Sequence, residues 1–162
     1  MTNNNNNNQI NDGKNKNEQN WFYSETVKEH FFNPRNIFKT DSEAVEYAKT
    51  ADGIGMVGSP ACGDMMKVWI KVKDDRIAEC KWQTFGCASA IASTSVMSVM
   101  VTENGGMKLA DAMKLKPADI VKKLENLPER KIHCSVLGDQ ALKAAIKDYE
   151  KKKNNQEKND YS

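Results

Sequence analysis

Four cysteines occur in this chain, Cys62, Cys80, Cys87 and Cys134, and three of them stand where thiol chemistry can happen. Cys62 lies in "SPACGD", between Ala61 and Gly63, with Asp64 two residues on and a run of strand character following. Residues i and i+2 of an extended chain share a face, so Cys62 and Asp64 can address one metal. Cys87 follows Gly86 at the junction of an expected strand and helix, and Cys134 follows His133 immediately before an expected last helix. Helix N-termini carry unpaired N–H groups and partial positive charge, which favour thiolate, the form that binds metal and attacks sulfur. A fold that gathers these three places makes a surface site of three sulfurs with His133 and Asp64.

Such a set suits zinc or an iron–sulfur cluster. Three thiolates with a hard carboxylate or a protonatable imidazole hold a cluster less firmly than four thiolates do. That weakness suits a protein that gives its cluster away. The residues alone leave metal and sulfur chemistry both open. Cys80 reads differently: it falls inside the second strand, on the side of Ala78 and Trp82, as a small buried core residue. His30, the other histidine, reads as an exposed position on the first helix.

The elements that must position these residues follow from periodicity and punctuation. Ser24 caps a helix through about Phe32, which Asn33-Pro34 ends. "GIGMVGSP" at 53–60 reads as a flexible or edge-strand segment. Residues 65–73 alternate, with Met66, Val68, Ile70 and Val72 on one face and Lys67, Lys71 and Lys73 on the other, as a half-buried strand does. "DDR" at 74–76 makes a tight turn, and 77–85 returns. A helix of small and apolar residues spans about 89–101 and "ENGG" breaks it. Short helices are expected over 108–114 and 117–125, the second opened by Pro117. The last helix is expected from about Ser135 to Glu150, with Leu137, Ala141, Leu142, Ala145, Ile146 and Tyr149 on one face. Strands early and helices late predict an α+β fold: a small antiparallel sheet of about three strands covered by helices, with a long C-terminal helix.

Composition bounds the rest. Residues 1–20 hold six consecutive asparagines, Asn3 to Asn8, and read as a disordered tail; 21–150 form one domain; 151–162 form a second polar tail. The N-terminal stretch has no apolar core of a secretory signal, and no run is apolar enough to span a membrane, since four serines and a threonine interrupt "CASAIASTSVMSVMV". A net charge of +2, with no basic patch interleaved with aromatics, gives no sign of nucleic-acid binding. Cysteines without an export signal point to the reducing cytoplasm, where metal or redox chemistry is commoner than disulfides.

The segments "GSPACGDMMK", "QTFGCASAIASTS" and "KIHCSVLGDQALKAAIKDYE" resemble the three signature regions of the iron–sulfur cluster assembly scaffolds of the IscU/NifU N-terminal family, and "YSETVKEHFFNPRN" resembles the family's opening helix. The likeness spans about residues 22–150 and implies the SufE/IscU-like fold. It implies a scaffold or carrier rather than an enzyme. Such a scaffold builds a labile [2Fe–2S] cluster from ferrous iron and persulfide sulfur and passes it to apo-proteins. By the resemblance, Cys62, Cys87 and Cys134 receive sulfur and hold the cluster. Asp64 keeps it labile and serves as a ligand, His133 also ligates metal, and Cys134 is the persulfide acceptor. Tyr23 matches a tyrosine linked to dimer contacts, and a homodimer sharing one cluster fits the few ligands each chain offers. The implied partners are a cysteine desulfurase, an electron donor such as a ferredoxin, and apo iron–sulfur acceptors. Zinc in the cluster-free scaffold is also implied.

Departures from the pattern carry information. The family's chaperone-contact loop L-P-P-V-K is "LPERK" here, Leu127 to Lys131, which argues against a specialised chaperone partner. Ala88 stands where glycine is frequent. A zinc-dependent SufU-type sulfur acceptor is the alternative, but that group carries an insertion between its second and third cysteines and lacks the histidine that His133 supplies here. A cysteine hydrolase is disfavoured because His133 and Cys134 are adjacent, a poor geometry for base and nucleophile. A small ferredoxin would want a fourth clustered cysteine.

Overall fold

A computed structural model describes residues 23–59, 63–125, 127 and 131–160, with the backbone alone for Ser59, His133, Cys134 and Asp160. The expected tail 1–20 lies outside the described residues. The elements are α1 (Glu25–Phe32), α2 (Asp41–Ala48), β1 (Gly53–Ser59), β2 (Asp64–Lys73), β3 (Arg76–Phe85), α3 (Ala88–Thr102), α4 (Leu109–Ala112), α5 (Pro117–Lys123) and α6 (Ile132–Asp160). The strands form one antiparallel sheet in the order β1-β2-β3. Helix α6 lies across β1 and β2, and α3 across β3 and beside α6. The α+β class and the three-stranded sheet under helices are as the sequence leads one to expect.

Local chemistry explains most boundaries. The Ser24 hydroxyl accepts from Val27 N–H at 3.1 Å and starts α1. Asp74 and Asp75 both take positive φ, 52° and 60°, the two-residue turn whose twist suits a hairpin. Met66, Val68 and Ile70 are fully buried on the face that α6 covers. Ten of the fifteen positions of α3 are buried, because its serines and alanines let neighbours approach closely.

Several expectations are corrected. Cys80 and Trp82 face the core, but Ala78 does not share their side: Lys71 pairs Glu79 while Val72 pairs Ile77, so Ala78 is an extra residue that bulges out, exposed, and turns Ile77 inward. The middle of β2 is buried on both faces. Trp69 is 1% exposed, with Phe38 edge-on at 5.2 Å, on the face that α2 covers. Helix α2 itself carries a capping box, Thr40 with Glu43, that the periodicity of so short a segment does not advertise.

His30 is half-buried, not exposed. Its Nδ1 lies 2.8 Å from the Ser95 hydroxyl, which already accepts the Arg35 N–H and so has its proton left for the imidazole. Burial, with the Arg35 charge, lowers the His30 pKa, consistent with a neutral ring accepting that proton.

The last helix is longer than expected at both ends. It begins at Ile132 and runs unbroken to Asp160, because neither Gly nor Pro stops it and Asp148 pairs Lys152 one turn on at 2.7 Å. Residues 151–159, within the expected polar tail, continue the helix as an exposed arm.

Candidate cluster-binding site

The site is built on one end of the sheet. Two glycines set how the strands meet α6. A side chain on Gly55 would run into the Ala141 carbonyl and Ala145 N–H, and one on Gly53 into the Ala145 carbonyl. Strand β1 thus lies backbone to backbone on α6, and the two run antiparallel. From Gly55 the strand advances about 3.3 Å per residue and the helix about 1.5 Å per residue. That geometry brings the end of β1 alongside the first turn of α6, which carries His133 and Cys134. Ser59 pairs Asp64, and Met65 pairs Phe85, so the β1–β2 connection and the β3–α3 turn open at this same end. The α3–α6 contact agrees: Thr94 Oγ1 would stand 2.9 Å from a side-chain carbon placed on Gly138.

Within that end, the structure brings Asp64 and the Cys87 turn together. Asp64 opens β2, and its Oδ1 lies 3.5 Å from where a Gly86 side-chain carbon would sit. Thr84 Oγ1 and the Ala90 Cβ would each be 3.2 Å from that carbon. Gly86 has little room for a side chain because Thr84 and Ala90 crowd it, and the Asp64 carboxylate lies at contact distance beside them. Thr84 holds the strand ends in register by donating to the Met65 carbonyl at 2.6 Å. Cys87 is the N-cap of α3, half-buried, with φ −77° and ψ 169°, and its carbonyl accepts the Ile91 N–H at 3.1 Å. Ser89, in the same turn, donates to the Tyr23 hydroxyl at 3.1 Å, so Tyr23 is anchored on the site's own helix.

Cys62 lies outside the described residues, between paired Ser59 and Asp64. His133 and Cys134 are described by backbone alone, in the first turn of α6 rather than before it. The expectation that Cys134 precedes the helix is therefore corrected; Ser135 starts no cap, and its hydroxyl instead donates back to the Ile132 carbonyl at 2.6 Å. Among the described residues no three metal-ligating side chains converge. Cys80 plays no part: burial pushes its thiol up to about 12, so it stays protonated in the core. The proximity of Asp64 to Gly86 is tertiary, and only the small residue before Cys87 hinted at it.

The NifU-like N terminal domain model matches residues 22–156. An iron-sulfur cluster assembly scaffold protein IscU of Escherichia coli K12 is 48% identical over 134 residues, covering 81% of this chain and 96% of the relative. Iron sulfur cluster assembly protein 1 of Trachipleistophora hominis is 47% identical over 130 residues, covering 80% of this chain and 88% of the relative. Among solved structures, a NifU-like N-terminal protein of Brucella abortus matches with a TM-score of 0.57 at 22% identity, over 80% of this chain and 94% of that one. A SUF-system scaffold of Fervidobacterium islandicum matches with a TM-score of 0.54 at 21% identity, over 76% and 96%. These two likenesses speak to the fold.

Proposed function

This chain belongs to the family of the NifU-like N-terminal domain, and from that premise we propose that it is a scaffold on which a labile [2Fe–2S] cluster is assembled as cargo and then handed to apo-proteins. The observation that carries the reading is the convergence of three element ends, the β1–β2 connection, the β3–α3 turn and the start of α6, on one end of the sheet with Asp64 beside the Cys87 turn. Relatives named as an iron–sulfur cluster assembly protein and as an iron–sulfur cluster assembly scaffold support it. One domain over 21–150 carries the function, in the cytoplasm. Among the described residues no helix is long and apolar enough to cross a membrane.

Cys62, Cys87 and Cys134 hold ferrous iron and nascent cluster, with Asp64 and His133 as the exchangeable ligands. The Cys134 thiolate attacks the terminal sulfur of a persulfide on a cysteine desulfurase, and the desulfurase thiolate leaves. Each sulfur so delivered takes two electrons to become sulfide. The two irons, passing from ferrous to ferric, supply half of the electrons for one cluster, and a ferredoxin-type donor supplies the other half. Departure is by exchange of protein ligands for those of the acceptor, and a hard carboxylate among soft thiolates is the first to yield. The protein is altered and restored by its partners, which makes it a carrier rather than an enzyme. A homodimer sharing one cluster meets the same ligand count.

Anaerobic reconstitution of the full chain with ferrous iron, cysteine, a desulfurase and a reductant tests this. The visible absorption of a [2Fe–2S] cluster should appear and then move to an apo-ferredoxin. Bound zinc with sulfur uptake but no colour would instead make the chain a zinc-dependent sulfur acceptor.

A further inference from the structure

Two asparagines among the described residues sit at positive φ, Asn36 at 61° and Asn104 at 53°, and their surroundings are opposite. Asn36 is locked. Its side-chain amide donates to the buried Ser98 hydroxyl at 3.1 Å, and its carbonyl accepts the Trp82 N–H at 3.2 Å. The residue after it is the β-branched Ile37, whose side chain crowds the backbone nitrogen between them. Asn104 is exposed, and its side-chain amide bonds to none of the described residues. The residue after it is Gly105, also exposed. No other asparagine of the chain is followed by glycine.

Asn104 and Gly105 are the two central residues of a tight turn. Gly106 N–H donates to the Glu103 carbonyl at 3.0 Å, and φ is 53° at Asn104 and 82° at Gly105, as in a type I′ turn. That turn leaves the Gly105 N–H out of its own hydrogen bond, and no described group accepts it. A side-chain carbon on Gly105 would meet nothing within 4 Å. The backbone nitrogen after Asn104 is therefore unshielded and unbonded. The ties that hold the neighbouring chain lie beyond the turn: Met107 N–H on the Val101 carbonyl at 2.8 Å, and Arg76 on the Gly106 carbonyl at 2.7 Å. Reshaping Asn104 and Gly105 breaks one exposed hydrogen bond and leaves those ties in place.

We propose that Asn104 is a site of spontaneous covalent modification, deamidating through a cyclic imide. The Gly105 nitrogen attacks the side-chain carbonyl carbon of Asn104 and closes a succinimide ring. The side-chain nitrogen leaves as ammonia, taking the proton that the Gly105 nitrogen gives up. Solvent water then opens the ring at either carbonyl and leaves aspartate or isoaspartate. One amide and one water become one carboxyl group and one ammonia, with no change of oxidation state. Isoaspartate routes the backbone through the side-chain carbon and so lengthens the turn. Either product adds a negative charge beside Glu103, in the segment that Leu109 N–H and Arg76 tie to the hairpin of Asp74 and Asp75.

Ageing the full chain in mildly alkaline heavy-oxygen water at physiological temperature tests this, with a synthetic peptide of residues 101–108 alongside. Peptide mapping by mass spectrometry should find a heavy-oxygen carboxyl at position 104 while Asn36 is still an amide. The converted fragment should separate into two isomers, one of which accepts a methyl group from an isoaspartyl methyltransferase. Asn104→Gln, whose longer side chain cannot form the same ring, should slow conversion at this position manyfold. An Asn104 that stays an amide while the peptide converts completely would overturn the proposal, because the folded turn would then protect it. Conversion of Asn36 as fast as that of Asn104 would overturn it too, because the locked and the open asparagine would then react alike.

Discussion

The two ends of the sheet are built on opposite principles. At the β2–β3 end the backbone is tied off: Ile77 N–H donates to the Met107 carbonyl at 3.0 Å, Leu109 N–H to the Asp75 carbonyl at 3.1 Å, and Arg76 to the Gly106 carbonyl at 2.7 Å. The hairpin turn is thereby sewn to the α3–α4 turn. At the other end, a carboxylate hangs over a glycine, a cysteine caps α3, and the first turn of α6 carries a histidine and a cysteine. One end secures the fold; the other holds the ligands of the proposed function. The same contrast separates two thiols of one chain. Cys80 sits mid-strand with its proton held on by burial, and Cys87 sits half-buried as the N-cap of α3.

Breaking the contact that aligns the reactive end should have the largest effect on stability. Gly55→Ala places a carbon against the α6 backbone, which neither strand nor helix can yield to cheaply. It should cost the upper part of about 1–3 kcal/mol, read as a lower urea midpoint, and a midpoint equal to that of the parent would mean that β1 and α6 are not pressed together. Thr84→Val removes the 2.6 Å bond to the Met65 carbonyl that keeps Asp64 over Gly86. A loss of about 1 kcal/mol is expected, and cluster lifetime should change with it, whereas a stability loss with unaltered lifetime would separate register from ligand placement. Asp64→Ala should leave stability within about 0.5 kcal/mol and yet give a cluster that bleaches severalfold more slowly in air and transfers more slowly. Unchanged lability would remove Asp64 from the exchange step.

The smallest effect sharpens the comparison from the α6 side. Asp148 accepts the Ile54 N–H at 2.9 Å and pairs Lys152. Burial acts to raise its pKa, but the Lys152 and Ile54 hydrogen bonds outweigh it and the carboxyl is lowered from its ordinary value. A depressed folded value contributes stability above the ordinary carboxylate range that is lost as pH falls through the lowered value. Asp148→Asn should therefore be less stable at neutral pH by under about 1 kcal/mol, with the difference closing in acid. A difference that widened in acid would contradict the sign.

What the sequence made legible is local. Ser24 as a cap, the Asp74-Asp75 turn, the inward face of Met66, Val68 and Ile70, and Cys87 at a strand–helix junction all follow from short-range rules. The family and its fold were legible from three motifs around those thiols. What stayed hidden depends on partners far along the chain. Trp69 looks like one residue of a solvated face until α2 and Phe38 cover it. Ala78 looks inward until a bulge shifts its strand by one residue. The start of α6 at Ile132 follows no cap signal, and its extension to Asp160 reflects only the absence of a stop. Asp64 over Gly86 needs both strand ends in place.

The most direct test of the central claim pairs the two thiols. Cys87→Ser and Cys80→Ala are reconstituted side by side, anaerobically, under the conditions that load the parent. The account predicts that Cys80→Ala develops the [2Fe–2S] absorption and transfers it, and that Cys87→Ser, folded and equally helical, does not. Full cluster assembly on Cys87→Ser would contradict the placement of the site at this end of the sheet.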